Sequence, residues 1–132
     1  MRRATDAGAA VVEFVLISVL LILLLFGVVQ VGVYFYARNI VAASAADAAR
    51  YAAAAGVPAS AGGPRAEQLI ASGLGSRLAR DISCRSGSDV SGAGHLPVTT
   101  VHCTGHVRAL FVGIDVPLTI NTTASALKET AP

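Results

Sequence analysis

The sequence predicts an α+β protein: a long N-terminal transmembrane helix followed by a small head with a short helix and about three antiparallel strands. Three observations carry this. Hydrophobic residues make up 54% of the 132 and charged residues 14%, where an average globular domain carries about 25% charged residues. The apolar excess is concentrated near the N-terminus, and the mean hydropathy of the whole chain is +0.64. Beyond Asp81 the apolar positions change to a period of two, the period of half-buried strands.

The first element is the apolar run. Residues 14–37 contain no charged side chain, and Ser18, Gln30, Tyr34 and Tyr36 are their only polar interruptions. These 24 residues exceed the roughly 20 that a helix needs to cross a bilayer. Residues 19–26 are apolar on every side, so no amphipathic period accounts for them. Tyr34, Phe35 and Tyr36, followed by Arg38, read as an aromatic belt and a snorkelling cation at the far interface. A buried core helix is the alternative, but the small remainder of the chain is too short to wrap one of this length. Arg2 and Arg3 precede the run and point to a cytoplasmic N-terminus and an extracytoplasmic head.

The helix continues beyond the membrane. Residues 37–55 lack Gly and Pro and are rich in alanine, the best helix former. Gly56 and Pro58 then supply a stop. Ala42, Ala45, Ala49 and Ala52 recur at steps of three and four residues. They form either a smooth ridge for close helix approach or merely a strongly helical stretch.

Residues 57–64 read as a linker. Pro64 opens a short helix to about Arg80, with Leu69, Ile70, Leu74 and Leu78 on one face and Gly73 and Gly75 weakening it. Strands are expected around Ile82 and Cys84, from Val101 to Val107, and from Ile114 to Ile120. A Gly/Ser-rich loop (residues 86–94) and a connection near residues 110–113 separate them. Leu110, Phe111 and Val112 form an apolar cluster in that connection, either core or contact surface.

Composition also limits function. The length allows one small domain and excludes a large multi-domain enzyme. A formal charge of +2 without a Lys/Arg stripe is too mild to argue for nucleic acid, and no nucleic-acid partner is expected. No nucleophile–base set stands out, so an enzyme is not expected, and no cofactor either. His95, His102 and His106 invite a zinc reading together with Cys84 and Cys103. His102 and His106 would lie about 13 Å apart along one strand, too far to share an ion, and no metal is expected. Cys84 and Cys103 both fall on inward strand positions, and an even pair in an oxidising compartment argues for a disulfide over two reduced core thiols. Closing that loop would stabilise the head by about 3 kcal/mol. Asn121-Thr122-Thr123 matches a glycosylation acceptor, which matters only in a eukaryotic source.

The sharper signal is N-terminal. Gly8 follows a short basic leader, and Glu13 stands five residues later at the head of the apolar run. A lone acid in a lipid-facing segment is expensive and needs a partner. A secretory signal peptide has no use for one there. Cutting after Gly8 would create an ammonium on Ala9, a cation that Glu13 could meet inside an apolar assembly.

These residues resemble the TadE-like family of minor pseudopilins of tight-adherence (Tad/Flp, type IVc) pilus systems. The leader with Gly8, Glu13-Phe14, the run of residues 14–33, and the stretches Tyr36-Ala37-Arg38-Asn39 and Ala48-Ala49-Arg50-Tyr51-Ala52 carry the resemblance. The head matches in outline, ending in a Thr/Ser/Ala-rich strand (residues 119–127). The resemblance implies a pilin-like substrate of prepilin peptidase, cut between Gly8 and Ala9, with Glu13 and Phe14 serving assembly. It implies a single-pass protein of the cytoplasmic membrane that primes or assembles a pilus. Its expected partners are prepilin peptidase, other pilins and pseudopilins, the pilus assembly platform and membrane lipids. The expected parts are a leader (1–8), the transmembrane and extended helix (9–56) and the head (57–132). The alternatives are an uncleaved signal-anchored membrane protein and a secreted small domain whose apolar run is a signal peptide.

Overall fold

The computed structural model describes residues 3–91, 94–108 and 117–130, with side chains from Gly8 onward. The chain divides into two compact units, Met1–Val33 and Tyr34–Pro132. Helix α1 (Arg3–Ala53) contributes to both.

In the first unit, α1 exposes its apolar side chains in every direction, from Val11 and Phe14 to Val28 and Val31. Within Gly8–Ala53 an 18-residue window reaches a mean hydropathy of 3.0 with none of it buried. This helix is long and apolar enough to cross a membrane. Ser18 lies in the apolar stretch, and its hydroxyl donates to the Phe14 carbonyl (2.8 Å) one turn back.

In the second unit, α1 becomes one-sided. Ala37, Val41, Ala45, Ala48, Ala49 and Ala52 are buried at helical spacing, while Arg38, Asp47 and Arg50 face out. The alanine ridge is therefore a packing seam, and what it packs against is the head of the same chain. Ala42, expected on that ridge, is only half-buried. Small side chains there let the helix backbone approach the sheet closely.

The helix ends at Ala53 rather than Ala55, and Gly56 takes a positive φ of 79° in the turn that follows. The expected linker is mostly structured. A 3₁₀ turn (Ala59–Ala61) leads directly into α2 (Gly62–Leu74), so Pro64 sits inside the first turn of the helix rather than at its start. The expected helix to Arg80 is interrupted at Gly75 (φ 79°, ψ 154°), a conformation open essentially to glycine. A single further turn, α3 (Ser76–Ala79), follows it.

Three antiparallel strands, β1 (Ile82–Val90), β2 (Pro97–Arg108) and β3 (Pro117–Leu127), lie in the order β1-β2-β3. Residues 86–90, expected in a loop, extend β1 because they pair with residues 97–101 of β2. The third strand runs seven residues beyond Ile120, so the Thr/Ser/Ala-rich segment is the strand itself, and β3 pairs with residues 98–108 of β2. Ile114 and the cluster of Leu110, Phe111 and Val112 lie outside the described residues. Pro117 is tolerated because it opens the strand.

Alternation places Ile82, Cys84, Val101, Cys103, Val107 and Ile120 inward, where they form one core with the α1 seam and with Ala66 and Ile70 of α2. Gly105 belongs to the same inward row of β2. A Cβ there would sit 2.7 Å from the Ile82 Cα, so β1 crosses at a distance that only glycine permits. The opposite sheet face is polar, with Arg85, His102, His106 and Thr123 exposed.

Candidate functional site

The residues that bear on function divide between the two units. In the first, Gly8 and Glu13 are exposed on α1, and Phe14 is 72% exposed. A Cβ added at Gly8 would meet nothing within 4 Å. Neither packing nor φ inside this chain requires glycine at that position. Ala9 and Glu13 are four residues apart and so share one helix face, separated by about 6 Å of rise. Among the described residues the ion pair is Arg108 Nε to Asp81 (3.4 Å), on the head, and Glu13 has no cation beside it.

In the second unit, Cys84 and Cys103 occupy directly opposed positions on β1 and β2 and are disulfide-bonded. Both are buried. Their Cα atoms are 4.1 Å apart, the spacing of a non-hydrogen-bonded pair, so the backbone N–H of Cys84 points away from β2. The Glu67 carboxylate on α2 accepts it (2.9 Å), and Ser86 Oγ accepts the N–H of Gly63 (2.8 Å). Helix α2 thereby closes the outer edge of β1 around the disulfide.

His102 and His106 are exposed on the face of β2 opposite Cys103, and His95 lies in the β1–β2 turn with a φ of 53°. No three His, Cys, Asp or Glu side chains among the described residues cluster as metal ligands.

Several contacts were not foreseen. Lys128 Nζ donates to the carbonyls of Ala52 (2.9 Å), Ala54 (3.2 Å) and Val57, at and just beyond the end of α1, where carbonyls lose their helical partners. The backbone N–H of Glu129 reaches the Ala53 carbonyl (2.8 Å), and Thr99 Oγ1 donates to Ala52 (3.5 Å). At the other end of the seam, Tyr34 Oη donates to Thr119 and Tyr36 Oη to Gly73. Tyr34 and Tyr36 thus hold β3 and α2 against α1. The only sequence signal for the first contact was that Lys128 is the single lysine.

The family model described as TadE-like protein matches residues 8–50. This segment is TadE-like. TadE-like proteins are associated with Tad pili, and theirs is a structural, non-enzymatic kind of protein. The match begins at Gly8, takes in Glu13 and the whole apolar run, and ends inside the part of α1 that packs on the head. The sheet and α2 lie outside it. Neither a curated protein nor a solved structure matches the chain.

Proposed function

We propose that the chain is a minor pseudopilin, cut by prepilin peptidase between Gly8 and Ala9 and used to prime or assemble a Tad-type pilus. The observation that carries this reading is the TadE-like match starting at a glycine that the fold itself does not require. A glycine without an internal reason fits an external one, a protease subsite that needs close backbone approach. Residues 1–8 are then the leader, 9–56 the membrane-spanning and extended helix, and 57–132 the extracytoplasmic head. The N-terminus is cytoplasmic before the cut, and partners are other pilins and the assembly platform. Leader removal takes away Arg2, Arg3 and Asp6 and lowers the formal charge from +2 to +1.

In this reading the all-round apolar helix partitions into lipid first and into a bundle of like helices later. Glu13 sits just over one turn from the new terminus, where an axially shifted neighbour presents its Ala9 ammonium. The pair is favourable only if both charges leave the lipid together. The mature N-terminus, determined by intact mass, tests the cleavage. Ala9 supports the pseudopilin, Met1 an uncleaved anchor, and a residue beyond Ala37 a secretory signal peptide.

A further inference from the structure

We propose that the Cys84–Cys103 bridge is made by thiol–disulfide exchange on an open β1–β2 hairpin, before α2 and the α1 seam close over it, and that the closed head no longer exchanges. The two cysteines need little of the fold to meet. They stand directly opposite each other on strands that follow one another in the chain, at a separation of 19 residues. Pairing β1 with β2 therefore brings the thiols together at the entropic cost of one short loop. Neither helix is needed for that step.

The finished head encloses the bridge. Cys103 is 0% exposed and Cys84 8%, and both belong to the core that α1 and α2 complete. On the β1 side the cover is close. Glu67 holds the Cys84 N–H, and a Cβ at Gly63 would come within 2.9 Å of the Cys84 carbonyl. A Cβ at Gly62 would come within 2.9 Å of the Val101 side chain. The first turn of α2 thus lies directly on the sheet beside the bridge, and the alanine seam of α1 packs into the same core. An attacking sulfur has to touch one of the two cysteine sulfurs, so access sets the rate of exchange. In this head, access requires α2 or the seam to leave the sheet.

The chemistry gives the order. One cysteine thiolate attacks the disulfide of an oxidant, and a mixed disulfide forms as the oxidant's first sulfur leaves. The other cysteine attacks this mixed disulfide, which closes the bridge and expels the second sulfur. The oxidant departs as a dithiol, carrying the two electrons and two protons that the cysteines lose. The mixed disulfide places a second molecule on the inner face of β1 or β2, where the closed head has α1 and α2. A thiol enclosed in that apolar core is also a poor nucleophile, because its thiolate would be buried without water. Exchange therefore precedes closure, and the reaction that must act on this chain is oxidation by a disulfide able to accept both electrons. The inference rests on the preceding functional reading only for the compartment in which that oxidant is met.

The test uses the full chain in detergent micelles, with dithiothreitol and glutathione disulfide as probes and alkylation of free thiols as the readout. Dithiothreitol should reduce the folded protein at least about a hundredfold more slowly than the same protein in denaturant. Gly63→Ala, which pushes α2 off β1, and Ala49→Leu, which overpacks the seam, should each speed reduction about tenfold in micelles and leave it unchanged in denaturant. Glutathione disulfide should oxidise the reduced chain quickly while its head is unpacked, and at least about a hundredfold more slowly once a melting transition shows it packed. A reduced head that does not pack at all gives the same order, since closure then waits for the bridge. Reduction or oxidation of a packed head within roughly tenfold of the rate in denaturant would overturn the proposal. So would reduction rates indifferent to both variants. Because these rates are read on the purified chain, they stand or fall apart from leader cleavage and pilus assembly.

Discussion

Glu13 is the residue on which the assembly reading turns. If the acid merely burdens insertion, Glu13→Leu should leave association intact or improve it, because a charge near a helix start costs up to a few kcal/mol in lipid. If it meets a neighbour's Ala9 ammonium, the variant should still insert and be cleaved yet lose its partners. Breaking such a pair costs about 3–5 kcal/mol. Co-purification with the major pilin separates these outcomes, and undiminished association would remove Glu13 from the mechanism. Gly8→Val should accumulate as uncut precursor, seen by mass, since a β-branched side chain does not fit a subsite shaped for glycine. Because the Cβ of such a variant meets open space in this fold, its stability should match wild type. A variant that also melts early would show that Gly8 matters to folding rather than to processing.

Among the elements, α1 changes character along its length, and substitutions should report the change. Ala49 is 1% exposed and lies in the seam, so Ala49→Leu should destabilise the head by about 1–3 kcal/mol through overpacking. Leu21→Ala, where Leu21 is 59% exposed, should leave the thermal unfolding of the head unchanged. The all-round apolar character of the first stretch was legible because no alternation competes with it. The seam was only half legible, since alanine signals helix formation and close packing with the same letter. Strand positions were readable wherever Val, Ile and Cys alternate with polar residues. Residues 86–90 read as loop because Ser and Gly are poor strand formers; pairing with Val98, Thr99 and Thr100 outweighs that preference. The break at Gly75 was visible as a weakness, but whether glycine bends a helix or merely lowers its propensity is decided by packing.

For the whole molecule, stability rests on joining distant stretches of chain. The Cys84–Cys103 bridge ties two strands at a separation of 19 residues. Replacing both cysteines by alanine should cost about 3 kcal/mol in the chain-entropy account. Thiol labelling of wild type, unfolded without reductant, should find no free cysteine; two labelled thiols would show that the bridge does not form in the cell. Lys128→Met should also destabilise the head, by about 1–3 kcal/mol, because three carbonyls at and just beyond the end of α1 lose a charged donor. A chemical denaturation midpoint unchanged by Lys128→Met would show that solvent serves those carbonyls equally well. The bridge was predictable from strand phase and the expected compartment. The lysine contact was not, since nothing in the local sequence says that residue 128 returns to residue 52.

That lysine also determines how the molecule meets an acylating reagent. The chain has one side-chain amine, and it is half-buried and committed to backbone oxygens. Near neutral pH, a mild succinimidyl ester should therefore modify the folded protein chiefly at its α-amine, adding a single tag. The peptide that carries this tag after digestion names the first residue of the chain as it exists in the membrane. The fold thus withdraws the one side-chain amine, so that the tag reports the terminus whose identity separates precursor from processed protein.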